Sequence, residues 1–165
     1  QIAQVIVSEN FSPLIGLNMR MKNNTSLKIE VNRNRNIGLS LANNQLTETR
    51  GKELVIGAGY IIKDVKFNFI RVGANKKAVV SNLELKGDLS IRDNQTVIRR
   101  ILEDITQVTA GQRIITIKLS ADYQISRRVR TRLFYDQVIS TFKTSNAFPT
   151  NNVYAGFSFT LNLAQ

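Results

Sequence analysis

The feature that most constrains what this chain can fold into is the strict alternation of its final stretch. Val153, Ala155, Phe157, Phe159, Leu161 and Leu163 alternate with Tyr154, Gly156, Ser158, Thr160 and Asn162. Successive side chains of a strand point to opposite faces, so one face is apolar and the other small or polar. Residues 153–163 make a strand about twice as long as a typical soluble one. They match the roughly 9–11 residues a tilted strand needs to cross a bilayer.

An aromatic-rich amphipathic strand in this place also suits the insertion signal of bacterial outer-membrane barrels, and the same pattern recurs upstream. Ile15, Leu17, Met19 and Met21 alternate with Gly16, Asn18, Arg20 and Lys22, and an Asn23-Asn24 turn follows. Further alternating runs cover 27–31, 37–41, 54–62, 83–91, 115–123 and 129–135, and a muddled one covers 96–103. With the terminal run, the pattern predicts about nine strands, all antiparallel, and no helix. The expected fold is all-β: a transmembrane barrel wall, one unit over residues 1–165 with no internal domain boundary.

Counting back from the last strand, connections alternate between long and tight. Val138 to Asn152 is long, Gln124 to Arg127 tight, Asp104 to Gln112 longer, Arg92 to Gln95 tight, and Lys63 to Asn82 longest. Outer-membrane barrels keep short turns in the periplasm and long loops outside. A periplasmic C-terminus would then put the long links outside the cell, with Asn43 to Lys52 a long exception.

Composition narrows the chemistry. There is no His or Cys, so thiol, imidazole and the usual zinc or copper ligand sets are absent. No cofactor or metal is expected, and no enzymatic role. The chain begins with Gln and shows no basic-then-apolar leader, which reads as a mature piece or a fragment. No run approaches the roughly 20 apolar residues of a membrane helix, so membrane residence would have to be as β-structure. A net charge of +11 raises nucleic acid as a partner. The basic residues are instead spread along strands, and the few aromatics lie mainly on the apolar faces with no stacking platform, so none is expected.

Alternation assigns each candidate residue to a face. Arg128, Arg130, Arg132, Lys118, Asp122, Gly156, Ser158 and Thr160 are expected to line a wet lumen. Phe157, Phe159, Leu161, Leu163, Tyr123 and Tyr135 are expected to face lipid, with Tyr60, Tyr123 and Tyr135 as interfacial anchors. Gly38, Ser40, Gly57 and Gly59 join Gly156 and Ser158 as a small-residue lining. Asp88, Asp122 and Asp136 should pair with nearby Lys and Arg. Gly57-Ala58-Gly59 lacks the third glycine and helix of a dinucleotide site, and Glu103 and Asp104 would diverge on an extended chain.

Several ordered stretches carry a resemblance: Asn10 to Asn18 (NFSPLIGLN), Asn43 to Glu48 (NNQLTE), Gly57 to Asp64 (GAGYIIKD), Thr109 to Arg113 (TAGQR), Leu119 to Tyr123 (LSADY) and Arg132 to Asp136 (RLFYD). Phe148-Pro149-Thr150 and the terminal strand complete it. Together they resemble the C-terminal end of the SprA/Sov proteins, outer-membrane translocons of the type IX secretion system. The resemblance implies a sector of a very large barrel in the bacterial outer membrane. It also implies passage of folded cargo, with a PorV-like shuttle protein and a plug protein as partners. The remaining strands would come from elsewhere in the same barrel, and no catalytic residue is carried over. Two other functions fit the residues alone: a small independent porin-like barrel, and a soluble basic β-sandwich that binds a polyanion.

Overall fold

The computed structural model describes residues 3–72, 77–126, 129–145 and 147–162, with backbone alone over 67–72 and 77–79. Seven strands follow one another: β1 (Gln4–Arg20), β2 (Thr25–Ser40), β3 (Gln45–Val72), β4 (Lys77–Arg100), β5 (Ile105–Gln124), β6 (Val129–Phe142) and β7 (Thr150–Leu161). They form one antiparallel sheet in sequence order. Each strand pairs with its chain neighbours, and β1 and β7 are open edges, so the sheet does not close on itself.

The all-β antiparallel expectation holds, but the count of about nine strands does not. The runs 27–31 and 37–41 belong to the single strand β2, and 83–91 and 96–103 to the single strand β4. Asn32 to Asn36 reads as a polar interruption, yet it pairs without a break: Asn32 opposite Glu53, Asn34 opposite Gly51, Asn36 opposite Thr49. A backbone ladder is indifferent to side-chain polarity provided the side chains find partners. Here they do: Asn32 donates to Glu53 at 3.3 Å, and the Ser8 hydroxyl donates to Asn36 at 2.6 Å. The supposed tight turn Arg92 to Gln95 is likewise inside β4, where Arg92 pairs with Glu53 at 3.1 Å and Arg50 donates to Gln95 at 2.7 Å.

The merger of 83–91 with 96–103 into β4 removes one strand between Lys63 and the C-terminal tip, which changes the end at which the earlier connections lie. The long Lys63 to Asn82 stretch, expected at the end opposite the C-terminal tip, lies at the same end as the tip of β7. Most of it is a β3–β4 hairpin paired out to Val72 and Lys77. Asp104 to Gln112 is not a long link either, because β5 begins at Ile105.

The tight turns have a common chemistry. Asn24, Asn44 and Asp104 close the β1–β2, β2–β3 and β4–β5 connections with φ of 63°, 51° and 51°. Asn and Asp tolerate the left-handed region best among residues with a side chain. In the first of these turns the Met21 amide donates to the Thr25 carbonyl at 2.8 Å. Asp64, with φ 56°, marks the register shift in β3 between Ile62 and Val65. Pro13 sits on the edge strand β1 within a register shift between Phe11 and Ile15, where a missing donor is tolerated.

A single sheet has no second layer to bury its apolar side. Among the described residues, Val97 and Tyr123 are the buried hydrophobics. A soluble sandwich gains its stability from a core between two layers, and this chain supplies one.

Candidate functional site

Register carries the alternation of every strand across the sheet. On one face, Leu17, Ile29, Ile56, Leu89 and Ile117 stand in a row, continued by Gln137 and Val153. The neighbouring row is Ile15, Val31, Leu54, Ile91, Ile115 and Ile139. Toward the C-terminal tip the rows continue through Tyr60, Leu85, Ala121, Leu133 and Phe157. The side chains are largely uncovered: Leu119 is 50% exposed, Leu133 56% and Phe159 64%. Along β6 this apolar band runs from Ile139 to Val129. That is about 34 Å of strand, or about 26 Å after a tilt of about 40°, close to the roughly 25 Å apolar belt of outer-membrane barrels.

The opposite face is polar. One row reads Asn18, Lys28, Gly57, Asp88, Lys118 and Asp136. Hollows lie on it, one lined by Lys28, Glu53, Asp88, Ser90, Arg92 and Lys118, another by Lys86, Lys118, Ser120, Arg132, Asp136 and Ser158. The charges of this face are partly matched: Lys28–Glu30 at 3.0 Å, Lys86–Glu84 at 2.9 Å and Arg92–Glu53 at 3.1 Å. The Glu53 carboxylate also accepts from the Ser90 hydroxyl at 2.6 Å.

The face assignments made from alternation fall as follows. Arg130, Arg132, Lys118, Asp122, Gly156, Ser158 and Thr160 share the polar face. Arg132 stands between Asp122 and Ser158, and Arg130 between Gln124 and Thr160. Arg132 reaches Asp122 at 3.7 Å and Arg130 reaches Glu84 at 4.0 Å. Asp88 and Asp136 were expected to pair, but among the described residues neither has an ion pair; Asp122 does. Gly38, Ser40, Gly57 and Gly59 lie on the same polar face. Phe157, Phe159, Leu161 and Tyr135 lie on the apolar face, and the rings of Phe157 and Phe159 meet edge-on, 4.4 Å apart at 87°. Arg128 and Leu163 lie outside the described residues.

Tyr123 is on the apolar face but is not an outward anchor. It is 5% exposed, and its hydroxyl donates to the Val65 carbonyl at 3.1 Å across the β3 irregularity. Tyr60, 45% exposed, keeps the outward position.

Two arrangements escape sequence reasoning because they depend on register. Above the apolar band, on the same face, Asp93 accepts from Arg113 at 2.8 Å and from Lys143. The Lys143 ammonium and the Arg113 guanidinium hold the Asp93 carboxyl below its ordinary value. Beside them, Arg33, Arg35, Arg50, Lys52 and Arg99 gather around Glu48. Higher still, the face turns apolar again at Ile37, Leu39, Leu46 and Val97.

The arrangement can separate a wet space from an apolar one; it assembles no metal ligands, for no group of three or more acidic side chains among the described residues is placed to hold an ion. No protein-family model matches the chain, and no curated protein matches it.

Proposed function

We propose that this chain is a sector of the wall of a large outer-membrane β-barrel that lines a wide aqueous passage for folded protein, as in the SprA/Sov translocons it resembles. One observation carries the reading: an uncovered apolar face is backed by a polar face across all seven strands. Lipid would cover the first and water would fill the second. Charge on the polar side then costs little, whereas Lys or Arg at the midplane of the lipid side would cost about 2–4 kcal/mol. The open edges β1 and β7 support a sector over a self-closed pore, since unpaired ladders are not tolerated in hydrocarbon. They would pair with the remaining strands of the barrel.

The mechanism is passive. The wall holds the passage open, and selection falls to a shuttle protein, a plug and the cargo signal that the resemblance implies. Small side chains at Gly57, Gly59 and Ser158 leave a hydrated lining with little for passing protein to adhere to, and the Phe134 ring over Gly156 is the apolar exception on that side.

The test is extraction from native outer membranes in mild detergent, followed by the mass of the particle that contains the chain. A particle of several hundred kilodaltons with additional barrel strands is the expected result. Recovery of the chain alone, near its own 18.6 kDa, would overturn it.

A further inference from the structure

On the apolar face, the row immediately above Val31 and Leu54 holds Arg33 directly opposite Lys52, and the next row holds Arg35 directly opposite Arg50. Like charges facing each other across a ladder are destabilising. Two such pairs in succession, on neighbouring rows, need an anion to offset them. The chain supplies little: a hollow of about 270 Å³ is lined by Arg33, Arg35, Arg50, Lys52 and Arg99 around the single carboxylate of Glu48. Glu48 is buried, and its two oxygens are already engaged by Arg35 at 2.8 Å and Arg99 at 3.2 Å. Arg50 donates to the neutral carbonyl of Gln95. Lys52 stands directly opposite Asp93, but that carboxylate is engaged by Arg113 and Lys143, and among the described residues neither Arg33 nor Lys52 makes an ion pair.

We propose that this hollow binds the phosphate groups of anionic lipid headgroups, with the acyl chains lying on the Ile15, Val31 and Leu54 row beneath. The inference rests on the membrane-wall reading. Arg33 and Lys52 stand about 7 Å along the strand above the last apolar row, and Arg35 and Arg50 about 14 Å. The polar headgroup layer begins at that height, adding roughly 5–8 Å on each side of the hydrocarbon. Long basic side chains lay their stems on apolar surface and place their charge among phosphates. Charge complementarity and unbroken continuity with the apolar band both favour a lipid over a soluble anion.

The test uses the complex in mild detergent, titrated with short-chain phosphatidylglycerol and with short-chain phosphatidylcholine and read by native mass spectrometry. The native complex should retain phosphatidylglycerol preferentially. R33Q/R50Q/K52Q should lose on the order of 100-fold of that preference, about fivefold per cation removed. The single K52Q variant should lose about fivefold, and R33K/R50K, which keeps the charge, should lose little. Equal retention of the two lipids, or an unchanged preference in R33Q/R50Q/K52Q, overturns the proposal. Displacement of the lipid by inorganic phosphate at the same concentration would assign the hollow to a free anion and overturn it too. Extraction of native membranes with alkaline carbonate separates the two readings. A chain released by carbonate is not in the bilayer, and both fall; a retained chain without lipid preference sinks this inference alone.

Discussion

The ring of Phe134 fills the space over Gly156, its directly opposite neighbour on the β6–β7 ladder. A Cβ added at Gly156 would lie 2.5 Å from the Phe134 ring. Aromatic cover of a strand glycine protects the ladder where a side chain is missing. Gly156→Ala is expected to push the ring off its site and cost about 1–3 kcal/mol, as overpacking does. Phe134→Leu in the same chain should recover part of the loss. Urea unfolding of the assembled barrel, followed by heat-modifiable mobility, measures both; equal stability of the Ala variant and the native chain would show that the contact is loose.

Leu119 and Ser120 are adjacent on β5 and point to opposite faces. Leu119→Arg should cost about 2–4 kcal/mol, because it places a cation on the side assigned to hydrocarbon. Ser120→Arg puts the same charge on the polar side, opposite Lys86, and should cost at most about 1 kcal/mol from like-charge repulsion. Comparing folded yield in the outer membrane for the two variants decides which side is wet. The reverse order would exchange the faces.

Arg130 and Arg132 are both more than half exposed and lie near Glu84 and Asp122. Replacing both by Gln leaves Asp122 without its ion pair and Glu84 with Lys86 alone, so the polar side loses two positive charges. The assembled channel in a planar bilayer should then shift its reversal potential toward cation selectivity, with assembly intact. An unchanged potential would remove these residues from the conducting path.

The Asp93 cluster gives a pH dependence of definite sign. Its carboxyl titrates below the ordinary value of 3.8, chiefly because Lys143 and then Arg113 favour the charged form. A group with a depressed folded value stabilises the fold above its unfolded value and loses that contribution as pH falls through the folded one. The stabilisation is therefore present at neutral pH and disappears in acid below 3.8. Asp93→Asn should lower stability at neutral pH and flatten the acid limb of unfolding. Both cationic partners are about half exposed, so high salt should shrink the difference.

The faces were legible in the sequence because alternation has period two and nothing else is needed to sort side chains. Arg130, Arg132, Lys118, Phe157 and Phe159 fall on the sides that pattern gives them. Strand ends were not legible where the pattern turns polar. Asn32 to Asn36 and Arg92 to Gln95 look like turns, but their partners lie one strand away, and a chain read alone does not show which residue stands opposite which. The same blindness hid the cation hollow. Arg33 and Lys52 are unremarkable as single residues and become informative only once β2 and β3 are in register. Tyr123 was misplaced for a related reason: its burial depends on a shift in β3 at Asp64, a defect in another strand.

The open edges at β1 and β7 bear on how such a wall could be built. Each edge carries a row of backbone donors and acceptors that water can satisfy and hydrocarbon cannot. On the proposed wall reading, a sheet of this kind would have no resting place inside a bilayer by itself and would have to meet its neighbours while it enters. Growth of the wall is then templated, each incoming strand taking its register from the one already seated. The order in which strands arrive becomes part of what the sequence has to encode.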